Sequence, residues 1–451
     1  MISNARQDKL RLWLTVLIVA GLSLWIRVSY FHDTLIDKPM RGDAASYVQY
    51  ALNLVNYGTF SKDRASASPR PDAYWAPGYP AFLSAAMQLE KRFGLNFYKT
   101  TLYSQAAIGA LIAVVTLLMG RLFLNHYAAT LAAIFVAFSP HLISLGNYLL
   151  TETLFSLALL LSIYAYLLAF RLQYQWLYFL SGLLFGSAYL VNPVVILTPV
   201  LFAALTVYLY KVNQKKDILT SLRLLAPCLL AFFVVVGGWS VRNAMNVSDD
   251  APSGSNRLFT NLVIGMHHDY HAIWRANPRD PDNPAAVDES QLKGSYPQLA
   301  NLLLERIRET PLQYAKWYFI QKPVMLWDWN ILTGQGDIYV YPVERSLYDT
   351  SNAALLTYAV MRAAHYWLLA FAVLGLIFVY RQAHKPELAV SVPLFLYVSL
   401  IYISSVYIVA QAEARYSIPL RPEMYLCAVY FMSEAARFIR ARMSRAAEQP
   451  V

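Results

Sequence analysis

Leu12–Tyr30 reads LWLTVLIVAGLSLWIRVSY, and the class of the protein follows from this stretch. At 1.5 Å rise per residue, a helix needs about 20 mostly apolar residues to cross a ~30 Å hydrocarbon core. This run meets that length. Arg6, Lys9 and Arg11 precede it in the manner of a signal-peptide n-region, but the run carries Arg27 and lacks a small-x-small cleavage site, so it reads as an uncleaved first span. Further apolar runs begin near Tyr98, Tyr127, Thr151, Trp176, Pro193, Leu222, Ala354, Leu388 and Tyr416, which makes about ten spans and places both termini on one side. Composition agrees: AVILMFWYC residues are 57% of the 451, and charged residues are 14%, against roughly 25% in ordinary soluble domains. Mean hydropathy is +0.38. An all-α polytopic membrane protein is expected, and collagen, disordered chains and secreted disulfide scaffolds are excluded.

Loop charge assigns the sides, because short cytoplasmic loops are enriched in Lys and Arg. With the N-terminus inside, Lys211, Lys215, Lys216 and Arg223 also fall inside, as do Arg381 and Lys385, then Arg437, Arg440, Arg442 and Arg445. The net charge of +10 is therefore read as basic loops at a membrane surface and not as a nucleic-acid footprint, since no basic cluster lies on a soluble module. Two long external segments remain, 31–97 and 241–353, with short external corners at Gly146–Leu150 and Gln411–Arg415. The chain divides into an N-terminal transmembrane module (1–240), an external loop domain (241–353) and C-terminal transmembrane helices with a basic tail (354–451). Within 31–97, Ser46, Gln49, Asn53 and Asn56 recur opposite Tyr47, Val48, Ala51, Leu52 and Val55, the pattern of an amphipathic helix lying in the interface. In 241–353, helices are expected at Gln298–Glu309 and Leu312–Met325, and the part up to about Ala300, with Pro252, Pro278, Pro281, Pro284 and Pro297, is expected to be loop-rich. There is no internal repeat and no low-complexity tract.

The external face holds the residues able to carry chemistry. Asp43, in Met40-Arg41-Gly42-Asp43-Ala44, opens the interfacial helix, where it either caps the helix or accepts a proton from a substrate hydroxyl. Glu152, in Leu150-Thr151-Glu152-Thr153, either complements a helix dipole or joins a site at a span's edge. Arg242 and Arg415 sit beside Trp239 and Tyr416, as belt anchors or as guanidinium forks for phosphate. Arg41, Lys62, Arg64 and Arg70 offer the same chemistry more weakly. Tyr74-Trp75-Ala76-Pro77-Gly78-Tyr79-Pro80 is a rigid aromatic turn.

Other features point away from common chemistries. His267, His268 and His271 are metal-ligand types at close range, but they lack the i, i+4 spacing of a helical zinc pair, so a divalent cation there is a minor expectation. Asp280-Pro281-Asp282 reads as a turn. Cys228 and Cys427 lie in apolar runs as buried hydrophobes. No P-loop, GxGxxG or nucleophile elbow occurs.

In order along the chain, Gly42-Asp43-Ala44-Ala45-Ser46-Tyr47, Ala76-Pro77-Gly78-Tyr79-Pro80, Thr151-Glu152, Gly238-Trp239-Ser240-Val241-Arg242-Asn243 and Ala414-Arg415-Tyr416-Ser417-Ile418-Pro419 make a set. It resembles the GT-C superfamily of polytopic glycosyltransferases, in its bacterial branch related to protein O-mannosyltransferases and the aminoarabinose transferase of lipid A. That resemblance implies a polyprenyl-phosphate sugar donor, an external lipid, glycan or protein acceptor, and inversion at the anomeric carbon. It implies Asp43 as general base and Glu152 as the second acidic residue. Arg242, Arg415 and Arg70 would hold the donor phosphate, and Tyr47, Tyr74, Tyr79 and Tyr416 would line the substrate. A bacterial inner membrane with a periplasmic site is the implied setting, and no cofactor is assigned beyond the minor expectation of a divalent cation near His267, His268 and His271. The chain departs from the aminoarabinose pattern at Ala44 and Ser46, and at Tyr74-Trp75-Ala76, where a Lys is usual. Two other readings stay open: a transporter or flippase of lipid-linked sugars, and a ligase or polymerase of whole glycans.

Overall fold

In the computed structural model the described residues are 2–64, 68–277, 280, 282–382 and 388–447. Pro278, Pro281 and Lys385 lie outside them, as does the side chain of Arg445. The first half contains α1 (Ile2–Asp33), α2 (Asp43–Tyr57), α3 (Gly78–Phe93), α4 (Phe97–Gly120), α5 (His126–Ala137), α6 (Pro140–Leu145), α7 (Glu152–Leu172), α8 (Gln175–Val191), α9 (Thr198–Gln214) and α10 (Ile218–Asn246). There follow α11 (Gly254–Met266), α12 (Tyr270–Ala276), α13 (Pro284–Leu292), α14 (Tyr296–Glu309), α15 (Pro311–Lys316), a π-helical turn (Trp317–Gln321), α16 (Lys322–Leu326) and α17 (Leu347–Thr350). The chain closes with α18 (Asn352–Gln382), α19 (Leu388–Val409), α20 (Ala414–Ser417) and α21 (Arg421–Ala447). Among the described residues the named strands are β1 (Leu35–Ile36) and β2 (Val343–Arg345), paired antiparallel. The chain is an all-α integral membrane protein.

Seven of these helices are long and apolar enough to cross a membrane. The runs expected from Tyr127 and Trp176 fold as helices of 12 and 17 residues, shorter than the ~20 a straight crossing needs. The run expected from Tyr416 is interrupted by α20 and a 3-10 turn, Ile418–Leu420, and its helix starts at Arg421. The estimate of about ten spans is thus seven full-length apolar helices plus shorter or more polar ones packed among them.

Packing among these helices follows from small residues and internal polar groups. Gly182 and Gly186 let α8 lie against α10 so closely that a Cβ at Gly182 would meet the Cys228 carbonyl, the small-residue contact typical of membrane helices. Tyr166, Phe170, Phe185, Phe202 and Phe395 fill the space between α7, α8, α9 and α19. Arg27 is 4% exposed within the first span, and it donates to Ser23, to the Val136 carbonyl at 3.2 Å and to the Ala137 carbonyl at 3.0 Å. Those are the last carbonyls of α5, which lack helical partners and carry the negative end of its dipole.

Helix α2 forms where expected but faces otherwise than the polar stripe implied. Asn53 is buried, and its amide donates to the Ser61 carbonyl at 2.8 Å and the Asp63 carbonyl at 3.0 Å, while Leu52 is exposed. The polar stripe therefore holds the following loop. The part of 241–353 expected to be loop-rich contains α11, α12 and α13, and two of its prolines begin helices instead of breaking them: Pro284 stands at the start of α13 behind the Asn283 cap and Pro297 in the first turn of α14, where a missing N–H costs nothing. Ser253 and Asn256 form a capping box for α11. Phe259, Val263, Met266, Ala285, Leu292 and Leu299 make a small core of their own, whereas Trp329, Ile331, Ile338 and Tyr341 belong to the main core.

Candidate active site

At one end of the helix bundle, the loop after α1 turns at Gly42 with φ 54, a left-handed conformation that favours glycine. The Gly42 turn starts α2 at Asp43 with no side-chain cap, so the capping role does not form and the carboxylate is free for another partner. That partner is Arg415, whose Nη2 donates to Asp43 Oδ2 at 2.7 Å. Arg415 Nε lies 2.9 Å from Glu152 Oε1, with the N–H pointing off the line, so this second contact is an ion pair more than a hydrogen bond. One guanidinium thus bridges two carboxylates that stand 109 residues apart in sequence (152 minus 43). The side chains of Arg415, Asp43 and Glu152 are 14%, 32% and 8% exposed. Burial works to lower the Arg415 pKa, but Glu152 and then Asp43 outweigh it and hold the group well above its ordinary value, so Arg415 stays charged. Tyr47, one turn into α2, is pushed well above the usual phenol range by burial and by Asp43, so it stays a neutral hydroxyl.

Glu152, Arg415 and Tyr47 open onto a cavity of about 770 Å³. Its walls include Tyr74, Trp75, Asn192, Trp239, Asn261, Tyr402, Tyr407 and Tyr416. Tyr47 meets Trp75 edge-on with centroids 4.8 Å apart, and Tyr416 stacks on Tyr407 at 5.0 Å. Arg257 also lines the cavity, with its guanidinium 3.7 Å from the centre of the Trp75 ring, a cation–π contact. The ion pairs among the described residues do not include Arg257. Apolar rings beside a few fixed charges form a chamber suited to an amphiphile with an anionic, hydroxyl-rich head.

No protein-family model matches the chain, and no curated protein does. Solved structures do. The oligosaccharyltransferase of Archaeoglobus fulgidus tethered with an acceptor peptide containing the NVT sequon aligns at TM-score 0.53 and 13% identity, over 97% of this chain and 51% of that one. The apo form of the same enzyme gives TM-score 0.52 at 15% identity, over 97% and 52%. This chain has the GT-C fold. It spans about half the length of the oligosaccharyltransferase structures it matches. A weaker likeness, TM-score 0.37 at 15% identity over 99% of this chain and 81% of the other, is to ArnT from Cupriavidus metallidurans bound to undecaprenyl phosphate, and it is too low to carry weight.

The remaining expected residues are distributed as follows. Tyr74 and Tyr416 line the cavity. Tyr79 is fully buried behind it and donates to Gln105 Oε1 at 2.8 Å, while the Gln105 amide donates to the Gly146 and Tyr148 carbonyls; Tyr79 therefore fixes the Gly146–Leu150 corner ahead of Glu152. Arg242 does not line the cavity. Its Nη1 donates to the Asp72 carbonyl at 2.9 Å and its Nη2 to the Phe60 carbonyl at 3.3 Å. Arg70 is exposed and outside the lining. The three histidines each have a separate partner: His267 meets Asp288 at 2.7 Å, His268 meets Gln313 at 2.7 Å, and His271 meets the Ala412 carbonyl at 3.2 Å. Among the described residues no group of three His, Cys, Asp or Glu is disposed to hold a metal ion.

Arg257 and Asp72 were not visible as functional residues in the sequence. Arg257 reaches Trp75 because Ala73 bridges to Ser253 in parallel, a contact across 180 residues (253 minus 73) with no local signature. Asp72 accepts from the Tyr50 hydroxyl, from Lys62 N at 2.8 Å and from Tyr74 N at 3.1 Å, and so shapes the loop that presents Tyr74 and Trp75.

Proposed function

We propose that this protein is a membrane glycosyltransferase that moves a sugar from a polyprenyl-phosphate donor to an acceptor hydroxyl at the outer face of a bacterial inner membrane. The observation that carries the reading is Arg415, which with Glu152 lines an aromatic, guanidinium-bearing cavity in a GT-C fold and bridges Glu152 to Asp43 beside that lining. Asp43, the more exposed of the two carboxylates, takes the proton from the acceptor O–H as that oxygen attacks the anomeric carbon. The bond between that carbon and the phosphate oxygen breaks, the electron pair leaves with the phosphate, and the configuration inverts. Glu152 and Arg415 hold Asp43 in place with its charge balanced, so the base is oriented before substrate arrives. Arg257, which has no ion-pair partner among the described residues and lies over the Trp75 ring, neutralises the departing phosphate better than Arg242 or Arg70, which are engaged or placed outside the cavity lining. The neutral Tyr47 hydroxyl is available to a sugar oxygen.

The test is release of polyprenyl phosphate from a panel of lipid-phosphate sugars by purified protein, with membrane extract as acceptor. Asp43→Asn is expected to lower transfer about 10²- to 10⁴-fold, the range for loss of a general base. Unchanged transfer in Asp43→Asn would remove Asp43 from that role. Products one sugar larger support a transferase, a ladder or a whole added glycan supports the ligase or polymerase reading, and movement of intact donor across vesicles without release supports a flippase.

A further inference from the structure

The corner that carries Arg415 has no regular structure over 411–413, yet its position sets the guanidinium between two carboxylates. Lys322 lies behind it, at the start of α16 and 1% exposed. Its ammonium donates to the Gly265 carbonyl at 2.7 Å, the Ala410 carbonyl at 2.7 Å and the Val409 carbonyl at 3.4 Å. These acceptors are the ends of α11 and α19, where carbonyls lack helical partners and the helix dipole favours a cation. The ammonium also sits 4.4 Å from the Tyr318 ring centre and 5.6 Å from that of Trp317. Trp317 Nε1 donates to the same Gly265 carbonyl at 2.9 Å.

Three local features make the clasp possible. The π-helical turn Trp317–Gln321 adds a residue to the helical path, and so brings Trp317 and Lys322, five apart, onto the one carbonyl. Gly265 admits the close approach, because a Cβ there would meet the Ala410 carbonyl. The ion pairs among the described residues do not include Lys322, so the ammonium is held by carbonyls and rings alone, a costly arrangement for a buried cation. Further contacts hold the same corner from the same side. His271 Nε2 meets the Ala412 carbonyl at 3.2 Å, and Glu413 accepts from Thr333 N at 2.8 Å and Thr333 Oγ1 at 2.5 Å.

We propose that Lys322 is a positioning residue that fixes the Gln411–Arg415 corner, and through it the Arg415 guanidinium between Asp43 and Glu152. The proposal rests on reading those three residues as the active site, but its first readout needs no activity. Hydrogen–deuterium exchange of the full-length protein in nanodiscs, followed over peptides covering 409–416, compares wild type with Lys322→Met and Lys322→Arg. Lys322→Met is expected to raise exchange of the corner at least about tenfold while the spans stay protected, and Lys322→Arg, which keeps cationic donors, to restore most of the protection. In the transfer assay Lys322→Met is expected to lower kcat about tenfold with the donor KM within about twofold, since the donor is held by other walls of the cavity. Unchanged exchange in a folded Lys322→Met would overturn the clasp, and raised exchange with unchanged kcat would overturn its link to Arg415. Should Lys322→Met fail to fold, Lys322→Gln is read by the same criteria. Raised exchange with no transfer by wild type on any donor would instead count against the proposed activity and leave the clasp standing.

Discussion

Arg415 and Arg242 stand at the same end of the bundle, each next to an aromatic residue, and sequence offered both as phosphate binders. The fold gives them different work. Arg415 meets two carboxylates, so its charge is coupled to groups that can exchange protons with a substrate. Arg242 meets backbone carbonyls of the 60–72 loop and the Asn243 side-chain oxygen at 3.0 Å, over the rings of Trp239 and Phe60. The difference originates in the local acid. Asp72, the carboxylate nearest Arg242 in the chain of contacts, is already engaged by Tyr50, Lys62 N and Tyr74 N, so it turns its carbonyl and not its carboxylate to the guanidinium. Asp43 has no such local donors, because Gly42 opens the helix and leaves the side chain uncapped. A guanidinium becomes part of a reactive centre or a rivet in a wall according to whether its neighbouring acids have spare oxygens.

Arg415→Lys breaks this comparison most severely. A lysine ammonium is a point charge without a planar fork, and it cannot reach Asp43 and Glu152 together as Nη2 and Nε do. Transfer is expected to fall about 10²- to 10³-fold, the range for loss of one preorganised electrostatic partner. Arg415→Met, which leaves Glu152 buried beside no cation, is expected to cost about 3–5 kcal/mol of stability as well. Thermal melting in detergent beside the transfer assay separates the two losses. Equal activity of wild type and Arg415→Lys would show that bridging is not used.

Much of this architecture was legible in the sequence because membranes impose coarse rules. The span at Leu12–Tyr30, the helix starts at Asp43 and Glu152, and the polar corner before Tyr416 follow from apolar length and from where charges interrupt it. The order of short motifs was enough to suggest the GT-C fold. What escaped were contacts set by tertiary pairing. Asn53 looks like a solvated face residue, and it is buried because the loop at 61–63 folds over it. Lys322 falls within the helix expected at Leu312–Met325 with no local sign of burial, and the π-helical turn and the approach of α19 put it inside. Arg257 sits after a capping box as any loop cation might, and its place on Trp75 depends on the Ala73 bridge to Ser253. No periodicity encodes such pairs.

Arg257 and Arg242 sharpen the same distinction at smaller magnitude. Removing a cavity cation that has no ion-pair partner among the described residues should weaken an anionic ligand directly, so Arg257→Ala is expected to raise the donor KM about tenfold, as fits loss of a hydrogen bond to a charged group. Arg242→Ala should act only through the loop bearing Tyr74 and Trp75, with a donor KM change of about two- to threefold and faster exchange over 60–75. Salt separates them further, because the Arg257 contribution to donor affinity is a charge interaction at a partly open cavity and should weaken with ionic strength. If Arg242→Ala proved the more damaging to donor binding, the phosphate would have to lie on the other wall.

The smallest effect concerns pH, and it contrasts Lys322, held by carbonyls, with Arg415, held by acids. Burial pushes the Lys322 ammonium down to about 7, whereas an exposed lysine titrates near 10.4. At this one group the unfolded chain therefore binds more protons than the folded one between those values, and the contribution of Lys322 to stability rises with pH across that window, by at most about 1.4 kcal/mol per unit. Below about 7 this contribution is flat, because both states are protonated. The ionisable groups facing Lys322 are His271 from α12, with Arg275 beyond it, Glu413 from the corner, and Tyr318 from its own helical segment. His271 is lowered by burial from its ordinary value of 6.5, so it titrates below the window, and Tyr318 is pushed up to about 12 by burial, so it titrates above it. The gap in melting temperature between wild type and Lys322→Met is thus expected to move in favour of wild type as pH rises from 7 to 9, while the gap between wild type and Arg415→Lys stays constant over that range. A gap between wild type and Lys322→Met that stays constant or shrinks over that range would mean that the carbonyls and rings hold the ammonium well enough to cancel the cost of its burial, which would leave the clasp in place but remove its dependence on pH.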